Sequence, residues 1–289
     1  MRLVLFVLYL SSLPFLRADL LSDALQTFPA NTQSLEYDNL AVLRRLPDYN
    51  ELRKKYTSDA LKRVKNTLSQ VNISEDQLSE VVTAAAPNVF FGLIAGNFNT
   101  ATAEQEATAH NLTRTALSAG PAFCSQDGTC LLFPKDKNGR AAFGTLAQLR
   151  AIADVQEGHA PNVKSNADFA ALLAKMDLTT PIVGLAPGSE IGQLTKNVMP
   201  SSLDLSSWYS SVKSFGYSIR TDTQAHLSVE LLCTSSSRGT LVRNALNAAS
   251  AVQRMAAAMS MGSAFPVSNL RATASGPMVS FQFDAKLGS

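Results

Sequence analysis

The chain has 289 residues, 46% of them hydrophobic and 17% charged, which excludes a disordered protein and leaves room for one large domain or two of moderate size. Its formal net charge of +2 argues against a nucleic-acid binder, because such proteins carry a basic excess that displaces counterions from phosphates.

Met1 to Ala18 has the build of a secretory signal. Arg2 supplies the positive start, Leu3 to Leu10 is a short apolar run, and Leu16-Arg17-Ala18 ends in a small residue. The competing reading, an uncleaved anchor, needs about 20 apolar residues to span a bilayer, and the run is shorter than that. No later stretch is long and apolar enough to cross, and no Cys closes the signal to receive a lipid. The expectation is export to the periplasm or the exterior, with cleavage near Ala18.

Ser34 to Asn39 reads as a short strand, and Leu40 to Tyr56 as helical with a break at Pro47. Thr57 to Gln70 carries Ala60, Leu61, Val64 and Leu68 on one side of a further helix. Gln77 to Ala84 reads as a strand that turns at Ala85-Ala86-Pro87-Asn88 into Val89 to Phe98. That second strand is apolar on both sides and so belongs inside its sheet. Thr100 to Ser118 reads as a helix ended by Gly120, followed by a hairpin from Phe123 to Phe133.

Three cysteines suit an exported chain with one bridge and one spare thiol. In Cys124-Ser-Gln-Asp-Gly-Thr-Cys130 the Asp127-Gly128 pair favours a tight turn. A two-residue loop would put the sulfurs on opposite faces, whereas a three-residue loop with a bulge at Gly128 would set Cys124 opposite Cys130, close enough to bridge. Cys233 ends an apolar alternation and reads as a buried core thiol.

Arg140 to Gly144 is a strand candidate, Thr145 to Glu157 is helical, and Asn166 to Met176 is a short helix. From Ser214 to Ala285 the pattern is strand, strand, long helix, strand, strand. Phe215, Tyr217 and Ile219 alternate with outward Ser218 and Arg220, and Leu227, Val229, Leu231 and Cys233 with outward Ser228 and Glu230. A helical stripe at Leu241, Ala245, Ala248, Val252, Met255 and Met259 follows a possible cap at Ser235, Ser236 or Ser237. A hairpin around Ser275-Gly276-Pro277 closes the chain.

Strand, helix, hairpin, helix, hairpin describes Ser34 to Phe133 and nearly describes Pro181 to Ala285. The fold class expected is therefore α+β: two tandem ferredoxin-like units, each a βαββαβ arrangement with an extra strand, with antiparallel sheets and helices on one face. The divisions are 1–18 for the signal, 19–178 for the first unit with its connecting helices, and 179–289 for the second.

Ser34-Leu-Glu-Tyr-Asp-Asn-Leu-Ala-Val-Leu-Arg, Phe143-Gly-Thr-Leu-Ala-Gln-Leu-Arg, Ser165-Asn-Ala-Asp-Phe-Ala-Ala-Leu-Leu and Pro181-Ile-Val-Gly-Leu-Ala resemble exported bacterial proteins of the acidobacterial and planctomycete kind, a family with no assigned activity. The resemblance implies a tandem α+β fold over most of the mature chain and carries no catalytic residue across.

Candidate chemistry is sparse. His110, His159 and His226 lie far apart, without the paired spacing or Cys-x-x-Cys of a zinc site, and each reads as solvated. No Gly-x-Ser-x-Gly elbow occurs, although a triad assembled from distant residues needs adjacency only in space. Gly184-Leu-Ala-Pro-Gly-Ser-Glu-Ile-Gly192 lacks the endings of phosphate and dinucleotide loops and reads as a strand-to-helix turn with Ser189 near the cap. Met255, Met259 and Met261 read as core filling rather than as a copper(I) site. Arg44, Arg45, Arg53, Lys54, Lys55, Lys62, Arg63 and Lys65 form the strongest local charge bias: a solvated helical face, or a contact with an anionic surface. Asn72 and Asn111 fit the glycosylation pattern, which matters only in a eukaryotic secretory pathway.

These readings lead to an exported, non-enzymatic binding or assembly protein of the cell envelope, with no catalytic, metal or cofactor-binding residue, no nucleic-acid partner, and a protein or envelope component of unidentified kind as partner. The alternative is a hydrolase-type enzyme with its site in a cleft between the two units.

Overall fold

A computed structural model describes residues 19–46, 49–50, 59–87, 89–135, 137–192, 209–222, 224–258 and 267–286. Its organising strand is β1 (Ser34–Asn39), where alternation turns Leu35 and Tyr37 to one side and Glu36 and Asp38 to the other. Ahead of it lies helix α1 (Asp19–Thr27), and after it a short α2 (Leu40–Leu43), capped by the Asn39 side chain, which accepts from the Val42 N–H. Helix α3 (Asp59–Gln70) leads to the hairpin of β2 (Leu78–Ala86) and β3 (Val89–Gly96).

The expected helix from Thr100 to Ser118 is corrected here. Helix α4 stops at Ala109 (Thr100–Ala109), and β4 (Thr113–Leu117) follows. Asn111 takes a positive φ of 57°, and Leu112 donates to the Ala107 carbonyl at 3.0 Å, which closes the helix one turn before the β-branched Thr113 and Thr115. β5 (Gly120–Cys124), β6 (Cys130–Leu132), β7 (Arg140–Gly144), helices α5 (Leu146–Gln156) and α6 (Ala167–Leu173), and β8 (Ile182–Pro187) come next. The chain ends with β9 (Val212–Thr221), β10 (Gln224–Cys233), α7 (Ser236–Ala258), β11 (Val267–Ser275) and β12 (Met278–Lys286).

The twelve strands among the described residues join one sheet in the order β11-β12-β10-β9-β8-β1-β2-β3-β7-β6-β5-β4. Every neighbouring pair is antiparallel. The fold is thus a mixed α+β one with helices against a large antiparallel sheet. What separates it from two free-standing sheets is the pairing of β1 with β8, which sets Leu35 opposite Leu185 and Tyr37 opposite Val183 and makes the sheet continuous.

Helices cover both faces, not one as the sequence suggested. On the first face α1, α5 and α6 pack over Leu35, Tyr37, Val82, Leu93, Val183 and Leu185. On the second, α3 and α4 cover Val81, Ile94 and Phe143, while α7 covers Phe215, Val229, Leu231 and Phe281 at the far end. The reason is local: the central strands are apolar on both sides, so each side needs a layer. For the same reason Ser218 and Glu230, expected outward, are buried at 2% and 6% exposure beneath α6.

The long helix shows the right period with a shifted phase. Val242, Leu246 and Ala249 face the sheet, while Leu241 is 45% exposed. Ser250 fixes that rotation by donating its buried hydroxyl to the Leu270 carbonyl at 2.9 Å. Ser235 supplies the cap, its Oγ accepting from the Arg238 N–H at 3.3 Å.

Candidate functional site

Between the centre of the second face and the helices α2 and α3 lies a cavity of about 510 Å³. Its floor is the sheet: Val81 and Thr83 of β2, Ile94 of β3, Glu36 and Asp38 of β1, Ile182 of β8, and Ile219 and Thr221 of β9. Its roof is mostly apolar and comes from Leu40, Leu43 and Leu46 on one side and Val64 and Leu68 on the other, with Lys65 and Ser69 beside them. The cavity exists because the cluster under α3 and α4 and the cluster under α7 do not meet across β1 and β8.

The polar part of the floor is a carboxylate pair. Glu36 and Asp38 are two residues apart on one strand and therefore share a face, opposite Gly184 and Ile182 of β8. Tyr217 donates its hydroxyl to Glu36 Oε2 from the next strand but one. The ring reaches it by lying across Gly184, where any Cβ would collide with Tyr217 Cζ. Burial, and after it the neighbouring Glu36 carboxylate, hold Asp38 well above the usual carboxylate range. Burial and then Glu36 also push the Tyr217 phenol up, so it stays a donor at neutral pH. Thr221 adds a buried hydroxyl that has no hydrogen-bond partner among the described residues.

The basic residues named from the sequence divide at the rim of this cavity. Arg44 is held by the carbonyls of Glu75, Leu78 and Asp76, at 2.5, 2.7 and 3.4 Å, and so ties the end of α2 to the turn before β2. Lys65 pairs with Glu75 Oε2 at 2.8 Å. Arg45 and Lys62 are exposed. Arg53, Lys54, Lys55 and the side chain of Arg63 lie outside the described residues, as do Met259, Met261 and the side chain of Met255.

Cys124 and Cys130 form a disulfide, with their Cα atoms 4.0 Å apart on directly opposed strand positions. The loop is the three-residue one: Ser125 N–H donates to the Thr129 carbonyl at 2.9 Å, and Gly128 takes a φ of 82°. Cys233 is a buried free thiol whose pKa burial raises. His110 and His159 are exposed beside Glu106 and Glu157. His226 is partly exposed, as expected of an outward strand position, and sits between Asp284 at 2.7 Å and Asp222 at 3.1 Å. Its hydrogen bond with Asp284, followed by the one with Asp222, raises its pKa, while Asp284 is lowered by Asn269 and then by His226. Among the described residues no group of three or more His, Cys, Asp or Glu is placed to hold a metal ion. The Gly184–Gly192 stretch is a strand running into a short 3-10 turn at Gly188–Glu190, with Pro187 rather than Ser189 at its cap.

A larger depression of about 820 Å³ lies beside α4 and the β4–β5 hairpin, but its helix start is already capped, by Asn99 on Thr102 N–H and Asn138 on Thr100 N–H. The Glu36 and Asp38 pair escaped sequence reasoning because alternation in Ser34–Asn39 marks them as the solvent side of a half-buried strand. The available signal was that β1 opens the apolar central block.

The fold and cavity define a class: a three-layer α+β protein with helices on both faces of an antiparallel sheet and an apolar chamber at the sheet centre. Among solved structures, crystal form I of TP0453 shares this fold, with a TM-score of 0.52 at 10% identity over 91% of this chain and 92% of that one. Crystal form III of TP0453 aligns with a TM-score of 0.49 at 10% identity, over 91% of this chain and 94% of that one. At that identity the likeness is one of fold, and it gives no specific support to an acidobacterial or planctomycete family. No family model and no curated protein matches the chain. Among the described residues no helix is long and apolar enough to cross a membrane.

Proposed function

We propose that this is an exported binding protein of the cell envelope that takes an apolar small molecule, without chemistry, in the chamber between β1, β9 and the helices α2 and α3. The observation carrying it is a cavity of about 510 Å³ with a roof of Leu40, Leu43, Leu46, Val64 and Leu68. Ligand sites are commonly about 300–1,000 Å³, mostly apolar, with a few convergent polar groups. Export rests on the Met1–Ala18 signal and fits the Cys124–Cys130 bridge. The division into units 19–178 and 179–289 is supported by the strand order. In each half a meander (β1-β2-β3, β8-β9-β10) precedes a helix, and the last strand returns beside the third. Contact of Arg45, Lys62 and the neighbouring basic residues with an anionic surface belongs to the same proposal, since docking there would bring a lipid-like ligand to the chamber.

The test is titration of the full chain with neutral N-phenyl-1-naphthylamine, which brightens in apolar sites. Saturable brightening is expected, and it should be lost in Ile219→Trp, where the new ring fills the chamber. Equal brightening in that variant would remove the chamber as the site.

A second reading has one observation in its favour: the floor joins Glu36 and Asp38 of the first half to Tyr217 of the second. A buried carboxyl whose pKa is raised, with a second carboxyl beside it, is the equipment of a hydrolase, Asp38 serving as acid and Glu36 as base. Hydrolysis of any member of a panel of nitrophenyl esters and glycosides, abolished by Asp38→Asn, would establish that reading over the first.

A further inference from the structure

We infer that the ligand of the chamber is a single-chain amphiphile with a cationic, ammonium-type head, its chain under α2 and α3 and its head against Glu36 and Asp38. This deepens the binding proposal and rests on it. Three features of the floor carry it.

Both carboxyls open into the same chamber, yet the cations at its edge are already engaged with other groups. Lys65 is on Glu75, and Arg44 is on three carbonyls. Among the described residues the Asp38 side chain makes no hydrogen bond or ion pair, its bonds being those of the strand backbone, and Glu36 is met by the neutral Tyr217 hydroxyl. Side by side in surroundings of low dielectric the two carboxyls do not readily ionise together, so Asp38 holds its proton, and an ammonium set between them takes the place of that proton as it leaves to solvent.

The walls away from the pair are mostly hydrocarbon, from Val81, Ile94, Ile182 and Ile219 on the floor to the leucines of the roof, interrupted by the paired Lys65 and Glu75 and by Ser69 and Ser74. Such walls select a chain, not a polar metabolite. At about 30 Å³ for a water-sized group, the volume holds roughly 17 such groups, the size of one medium-length alkyl chain with its head. Finally, a fatty acid or a phosphate ester would place its anion on two carboxylates with no free cation among the described residues lining the chamber, so the same floor that attracts an ammonium rejects the commoner anionic amphiphiles.

The experiment is isothermal titration calorimetry of the full chain at pH 7.5 with dodecylammonium, dodecanol and dodecanoate, each below its micelle-forming concentration. Dodecylammonium is expected to bind about tenfold or more tighter than dodecanol, as one charge-assisted contact supplies, and dodecanoate not to bind measurably. The double variant Glu36→Gln, Asp38→Asn is expected to reduce dodecylammonium to the affinity of dodecanol, with a cooperative urea-unfolding transition showing that the variant is folded. An amine preference that is absent, or that survives in the double variant, overturns the cationic head and leaves the chamber standing as an apolar site. Dodecanoate binding as tightly as the amine does the same. Failure of all three ligands overturns the chamber together with this inference.

Discussion

At its middle the sheet is two different materials on its two sides. On the first face Leu35, Tyr37, Val183 and Leu185 are each 2% exposed or less, and Phe28 stands edge-on to Phe91 with ring centroids 5.0 Å apart. On the second face the alternate residues of the same strands are Glu36, Asp38 and Ile182, all half-buried around a chamber. A step of one residue along β1 moves from dry packing to a charged floor. Stability and the proposed binding are therefore carried by interleaved residues, and substitutions can address one without the other.

The largest effect is expected where packing is complete. Phe91→Ala should cost about 3–5 kcal/mol, as for large aromatic deletions from cores, whereas Ile219→Ala on the chamber side should cost less than about 1.5 kcal/mol because its surroundings are already partly empty. Urea unfolding of the two variants measures the contrast, and equal losses would mean that the two faces are packed alike.

An intermediate effect is expected at Gly184. A methyl group there must displace the Tyr217 ring and part its hydroxyl from Glu36. A cost of about 1–3 kcal/mol is expected, as for overpacked sites, together with weaker N-phenyl-1-naphthylamine binding. Unchanged stability and unchanged binding would show that Tyr217 does not depend on that glycine.

The smallest effect, and the most specific to the floor, is in the pH dependence. The folded-state pKa of Asp38 is raised above its unfolded value near 4, so the folded chain holds that proton more tightly. Its contribution is fully present below about pH 4 and is lost as pH rises through the raised folded value. The stability gained by Asp38→Asn should accordingly be negligible at pH 3.5 and should grow toward neutral pH in paired denaturation curves. A gain independent of pH would mean that Asp38 ionises as freely as in water.

Much of the local structure was legible. β1 and β7 span the residues read from the sequence as strand candidates, and the Asp127-Gly128 pair marked the hairpin that the disulfide closes. Helix α4 was overextended because Leu112 to Leu117 carries no Gly or Pro to break it, and the left-handed turn at Asn111 is set by backbone geometry that many asparagines never adopt. In α7 the apolar period at Leu241 competed with one at Val242, and the Ser250 bond to Leu270 chose between them. The site was the least legible part, since Glu36 and Asp38 look like ordinary surface residues until both neighbours of β1 are known.

Side-chain periodicity along this chain determined which stretches became strands and helices, and which residues within each shared a side. The tertiary structure alone decided that β1 would pair with β8, that both faces would be covered, and that a chamber would remain between two clusters. The division has a physical reason. Alternation is written in side chains a few residues apart, whereas the joining of strand edges uses backbone N–H and C=O groups that every sequence presents alike.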